Sequence, residues 1–192
     1  MVSLLIFFGA LAAIGLYFAV TYNQLVRLRN TIDNAWAEVN VLLRRRYDLI
    51  PNVVATVQGY AAHERRTFDE VTEARAQAEQ AASVADQAHA ENALTAALGK
   101  LFAVSEAYPQ LQAAAGFQQL QTQLAQTETA IAGARQLYND DVLVYQNKRQ
   151  MVPTNIVAWF LGFGPREFFQ LDAAMAQPPK IAFAETPAPG RV

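Results

Sequence analysis

The sequence predicts an all-α protein: an N-terminal transmembrane helix that continues into an antiparallel four-helix bundle, followed by an apolar C-terminal segment. Three observations predict it. The stretch Val2 to Val20, VSLLIFFGALAAIGLYFAV, carries no charge. Downstream, apolar residues recur at steps of three and four in four successive stretches, the spacing of one buried helix face. No strand-like alternation of useful length occurs, and alanine and glutamine dominate while Gly and Pro stay sparse until the C-terminus, a composition that favours helix.

The leading apolar run is close to the roughly 20 residues a spanning helix needs. Tyr17 and Tyr22 stand at its downstream end, where amphipathic rings favour the headgroup zone. A cleavable signal peptide is the rival reading, with Ala10 and Ala12 as cleavage-site residues. No Lys or Arg precedes the run, however, so the positive leader of a signal peptide is missing. The expectation is an uncleaved anchor over residues 1–21. Arg27 and Arg29 follow it, and positive flanks stay in the cytoplasm. The body is therefore expected in the cytoplasm and the N-terminus outside, with membrane lipid as a partner.

The first body stripe is Leu25, Leu28, Ile32, Ala35, Val39 and Leu42. The second is Ile50, Val53, Val57, Tyr60, Glu64, Phe68 and Val71. The third is Leu94, Leu98, Leu101, Ser105 and Tyr108. The fourth, Phe117, Leu120, Leu124, Thr127, Ile131, Ala134, Tyr138, Asp141 and Tyr145, is the most regular. Breaks are expected at Tyr47 to Pro51, with Asp48 as a cap and Pro51 in a first turn. Further breaks are expected near Ser83 and Asp86, between Pro109 and Gly116, and at Pro153. The bundle is thus placed at 22–152, the apolar segment at 153–176 and an unstructured tail at 177–192.

The run Arg44, Arg45, Arg46 concentrates cations in a chain that is only 17% charged. Placed at a helix C-terminus, it meets the negative end of the helix dipole. Arg46 nevertheless continues the stripe from Val39 and Leu42, so it points at the seam and needs a carboxylate; Asp141 and Glu64 are the seam candidates. Three adjacent residues also fan across about 200° of a helix, so one of them faces solvent or a partner.

At this point the residues resemble the LemA family. The blocks are YNQLVRLRNTIDNAWAEVNVLLRRRYDLIPNVVATVQGYAAHE from Tyr22, AENALTAALGKLFAVSEAYPQLQA from Ala90, TETAIAGARQLYNDDV from Thr127 and GFGPREFF from Gly162. They occur in order and cover nearly all of Tyr22 to Phe169. The resemblance implies a single-pass protein of the bacterial cytoplasmic membrane, N-terminus out, with an up-and-down four-helix bundle. It also implies an envelope setting, association with a membrane zinc metallopeptidase of the heat-shock type, and, for one branch, magnetosome membrane formation. It brings no active site.

The chemistry-bearing residues agree with a non-catalytic reading. His63-Glu64 opens like H-E-x-x-H, but the fifth residue is Thr67. Asp86 and His89 have the spacing of one bundle metal pair, yet a di-iron site needs two such pairs and two further carboxylates. Phosphate-loop and nucleophile-elbow motifs are missing, and Ser3, Ser83 and Ser105 lie near no histidine motif. No cysteine is available for disulfides, thiolate metal sites or lipidation, and a net charge of -2 gives no field for nucleic acid. No cofactor or metal is expected. Ile156, Val157, Trp159, Phe160, Leu161, Phe163, Phe168 and Phe169 crowd into one short stretch that loses the stripe pattern. That stretch either folds over the bundle or meets a membrane or a neighbouring subunit. The leading expectation is a homo-oligomerising scaffold or partner of a membrane protein. A membrane-tethered signalling or adaptor module and a metal-dependent bundle enzyme are the alternatives.

Overall fold

A computed structural model describes residues 1–170; the end of the apolar segment and the tail expected at 177–192 lie outside the described residues. Within 1–170 the chain is all-helical and contains no strand. Its helices are α1 (Val2–Gln58), α2 (Arg65–Glu79), α3 (Val84–Glu106), the short α4 (Pro109–Gln112), α5 (Ala115–Gln150) and α6 (Thr154–Phe160).

Helix α1 is 57 residues long, about 85 Å at 1.5 Å per residue. Its first twenty residues are exposed apart from the half-buried Phe18, and this is the one described helix long and apolar enough to cross a membrane. From Thr21 onward the same helix buries one face, through Leu25, Ile32, Val39, Leu43, Ile50, Val53 and Val57. Leu28, Ala35 and Leu42 of the first predicted stripe flank that face, half-buried.

The arginine run does not end α1, contrary to the break expected at Tyr47 to Pro51. Proline inside a helix removes one hydrogen bond and crowds the carbonyl four residues back. Here that carbonyl belongs to Tyr47, and it accepts instead from Arg75 Nε of α2 at 2.9 Å. Pro51 sits on the exposed side, while Tyr47, Ile50 and Val53 are buried around it. Burial on both sides and a replacement donor carry the helix through the proline. Asp48 caps nothing; it lies 3.7 Å from Arg44 on the surface. The actual break is Gly59 to Glu64, so the second predicted stripe is divided. Ile50, Val53 and Val57 belong to α1, Tyr60 is exposed, and Phe68 and Val71 belong to α2.

The remaining breaks fall where turn chemistry predicts them. Ser83 caps α3 by accepting from the Asp86 N–H at 3.0 Å, and its hydroxyl donates to the Asp86 carboxylate at 2.7 Å. The cap is thus Ser83, with Asp86 as its reciprocal partner in the first turn. Pro109 opens α4, and α5 ends before Pro153. The fourth stripe is buried as predicted apart from half-buried Leu120 and Asp141; Val142 takes the core place beside Asp141.

Contacts give the packing directions. Trp36 meets Tyr138 and Arg46 meets Glu128, so α5 descends as α1 rises. Lys100 pairs with Glu70 while Gln87 reaches the Ala78 carbonyl, so α3 runs against α2. Phe102 and Phe117 meet where α3 and α5 approach each other. Buried residues of all four long helices join with Leu111, Phe163 and Phe169 in a single hydrophobic core.

Candidate functional site

The three adjacent arginines part company, as the fan around a helix requires. Arg44 and Arg45 are exposed. Arg46 is 3% exposed and sits in the core. Its Nη1 donates to Glu91 Oε2 at 2.6 Å, its Nη2 to Thr95 Oγ1 at 2.9 Å, and its Nε lies 3.4 Å from Glu128 Oε2. The carboxylates are therefore Glu91 of α3 and Glu128 of α5. Asp141 and Glu64, the expected partners, are not used: Asp141 lies about three and a half turns from Glu128 along α5, and Glu64 sits at the N-cap of α2.

Tyr47 completes the cluster. Its hydroxyl donates to Glu91 Oε1, and Gln87 Nε2 donates to the Tyr47 oxygen at 2.8 Å and to the Ala78 carbonyl at 3.1 Å. Burial, and then the adjacent Glu91 carboxylate, push the Tyr47 phenol far above its ordinary range. The phenol stays protonated and acts as a donor. Four side chains, Tyr47, Gln87, Thr95 and Glu128, thus surround the buried Arg46–Glu91 pair, joining α1, α3 and α5 at mid-height. The sequence marks Arg44, Arg45 and Arg46 as candidate interaction residues and turns Arg46 inward; it does not point to Tyr47, Gln87, Glu91, Thr95 or Glu128. The signal was available in Gln87 and Glu91, which share a face with Leu94 and Leu98 one turn apart.

The aromatic C-terminal residues divide in the same way. Phe163 and Phe169 are buried and Phe168 is half-buried, whereas Trp159 is 83% and Phe160 70% exposed. Gly162, at φ +72°, ends α6 with a left-handed turn in which Phe163 N–H reaches the Ala158 carbonyl and Gly162 N–H the Trp159 carbonyl. The chain then runs back along α5. Tyr145 donates to the Gly164 carbonyl, Gln146 to that of Arg166 and Tyr138 to that of Glu167. Asn139 grips the Phe169 backbone from both sides, its Nδ2 on the carbonyl at 3.1 Å and its Oδ1 on the N–H at 2.8 Å. The Phe169 ring lies between Trp36, with centroids 5.9 Å apart, and the Arg135 guanidinium, 4.5 Å above it. Desolvation first, and the charge of Arg46, lower the Arg135 pKa, while Glu128 and Glu91 oppose the shift. Arg166 reaches Asp33 of α1 at 2.9 Å.

Three of the expected membrane-interface residues lie against α6 and the start of this C-terminal segment. Tyr17 pairs with Thr154 Oγ1 at 3.4 Å, the Tyr22 ring stands 5.7 Å from that of Phe163, and the Arg29 guanidinium lies 5.8 Å over Phe163. Arg27 is exposed. His63 and His89 are both exposed, and among the described residues no group of three or more His, Cys, Asp or Glu is placed to hold a metal ion.

Helices joined by a buried ion-pair cluster, led by one helix long and apolar enough to cross a membrane, define an all-helical class of protein. The chain belongs to the LemA family, which it matches over residues 35–183. It is 26% identical to magnetosome proteins MamQ 2 and MamQ 1 of Paramagnetospirillum magneticum, over 78% of this chain and 64% of those proteins. It is 24% identical to magnetosome protein MamQ of Magnetospirillum gryphiswaldense, over 77% of this chain and 64% of the relative. The chain thus spans somewhat less than two thirds of the length of these curated relatives.

Proposed function

We propose that this protein is a non-catalytic scaffold of the bacterial cytoplasmic membrane: one anchor, N-terminus outside, and an up-and-down four-helix bundle on the cytoplasmic side. It acts by assembling with itself or by presenting the bundle to an integral membrane partner, such as a zinc metallopeptidase, in envelope maintenance. The observation that carries this reading is the change of character within α1. Its first twenty residues find almost no cover in the protein, while the continuation of the same helix is a wall of the core. A helix that is apolar all round needs a bilayer or another protein as its surroundings. Because no proline or loop separates the two parts, the body is held rigidly to the anchor. Similarity to the MamQ proteins supports a membrane setting.

The absence of cysteine makes the test direct. Single cysteines replacing exposed Val41 and Leu137 are expected to react with a membrane-impermeant maleimide only after the cells are opened. Labelling in intact cells would overturn the orientation. Recovery of a mature chain lacking the first twenty or so residues would overturn the anchor. Crosslinking in native membranes, followed by purification, should retrieve oligomers or a membrane partner; a strictly monomeric, partner-free particle would refute the scaffold.

A further inference from the structure

We infer that α6 is a second membrane element, lying in the leaflet that faces the body, with Ile156, Trp159 and Phe160 among its lipids. The inference rests on the anchor proposed above and extends it. Its first support is level. Thr154 pairs with Tyr17, and the Phe160 ring stands 6.5 Å from that of Phe18. A groove of about 350 Å³ between α6 and the anchor is lined by Ala13, Ile14, Tyr17, Phe18, Ile156 and Val157. At 1.5 Å per residue, Ala13 to Phe18 lie about 3–10 Å inside the apolar edge at Val20. Amphipathic helices bound at an interface lie about 5–10 Å deep.

The uncharged run from Val2 to Val20 is about 28 Å long at 1.5 Å per residue. A core of about 30 Å needs nearly all of Val2 to Val20. Any bilayer the anchor spans therefore also reaches α6.

Chemistry supports the same placement. Residues 150–165 carry no charge, and the outward side chains Ile156, Trp159, Phe160 and Leu161 are exposed and apolar. Just above stands a collar of cations. Arg27 and Arg29 are on α1; by the register that sets Trp36 against Tyr138, Lys148 and Arg149 stand roughly level with Leu25 and Val26. No Asp or Glu occurs in residues 1–32 or 142–166, so nothing in those stretches neutralises the collar. Cations about 10 Å above an apolar edge are placed for lipid phosphates. The N–H groups of Leu161, Gly162 and Phe163 close the end of α6 on the carbonyls of Val157, Trp159 and Ala158, which reduces the unpaired backbone it brings to lipid.

The test uses the full chain in vesicles of phosphatidylcholine and phosphatidylglycerol, with one nitroxide per variant. Ile156→Cys, Trp159→Cys and Phe160→Cys report on α6, Leu11→Cys on the anchor and Val41→Cys on the body. All five side chains are exposed, so the substitutions leave the core intact. Collisions with oxygen, which concentrates in lipid, are compared with those of a water-soluble nickel chelate. The three α6 sites should show an oxygen-to-nickel ratio severalfold above that of Val41→Cys and approaching that of Leu11→Cys. Free nickel access at α6 with a lipid-like Leu11→Cys would overturn the inference and leave the anchor standing. Nickel access at Leu11→Cys would overturn the anchor itself. Exclusion of both reagents at residues 159 and 160 would mean cover by protein, a second copy or a partner, and would also overturn the inference.

Discussion

Replacing Arg46 with methionine should destabilise the protein by about 3 kcal/mol, the lower end of what breaking a buried ion pair costs. The side chains of Arg46 and Glu91 are 4% and 3% exposed, so the substitution strands a carboxylate that water cannot reach. Tyr47 and Gln87 still hydrogen-bond that carboxylate, which keeps the loss near the lower end. Glu128, with a side chain 46% exposed, adds little beyond its contact, since exposed pairs are worth about 0–1 kcal/mol. At about 2–4 °C per kcal/mol for a chain of this size, the unfolding midpoint should fall on the order of 10 °C. The double variant Arg46→Met/Glu91→Leu should recover most of the loss, because the stranded charge is gone and two apolar side chains fill the space. It should fall short of the parent by about 1 kcal/mol, because Tyr47 loses its acceptor. Far-UV circular dichroism of the detergent-solubilised full chain, melted thermally and with urea, reads both values. A single variant within about 1 kcal/mol of the parent, or a double variant no more stable than Arg46→Met, would refute the account of the cluster.

The proline in α1 predicts a coupling. Arg75→Met should cost about 1 kcal/mol in the parent, and less in a Pro51→Ala background, where the new N–H satisfies the Tyr47 carbonyl; urea titration of the cycle checks it. The aromatic residues should separate by burial. Phe169→Ala should cost about 3–5 kcal/mol and Trp159→Ala within about 0.5 kcal/mol in detergent, read from the same melts. Gly162→Ala places a Cβ at φ +72°, so it should destabilise the α6 turn by about 1–2 kcal/mol and raise protease cleavage near residue 162. Burial raises the phenols of Tyr47, Tyr138 and Tyr145 above their ordinary value. A raised folded pKa contributes stability in full below the unfolded value and loses it at higher pH. Alkaline titration should therefore leave stability level up to about pH 10 and erode it above. Phenolate absorbance of these three should rise only with unfolding.

Much of the architecture was legible because burial and helical period are local properties. Leu25, Ile32 and Val39, or Ile131, Ala134, Tyr138 and Tyr145, announce a buried face whatever it packs against. The same holds for the break at Ser83 and Asp86 and for an uncharged run near membrane length. The arginine triplet shows where this reasoning stops. The stripe correctly turned Arg46 inward, but the acceptor had to come from another helix. Glu91 and Glu128 are 45 and 82 positions away, and no local spacing selects them over Asp141 or Glu64. The same limit explains Pro51. The chain around it reads as a turn until Arg75, from a separate helix, supplies the donor that keeps α1 continuous.

The sequence by itself determined the helical class, the apolar leader, the buried faces and the family, since each follows from residues near one another in the chain. Tertiary structure alone decided three things. It set which carboxylates neutralise the buried arginine, and it carried the first helix past its proline. It also divided the C-terminal aromatics, drawing Phe163 and Phe169 into the core while Trp159 and Phe160 stay outside beside the anchor. Each depends on a partner brought close only by packing, and the free energy of a buried charge, an orphan carbonyl or an exposed ring is set by that partner.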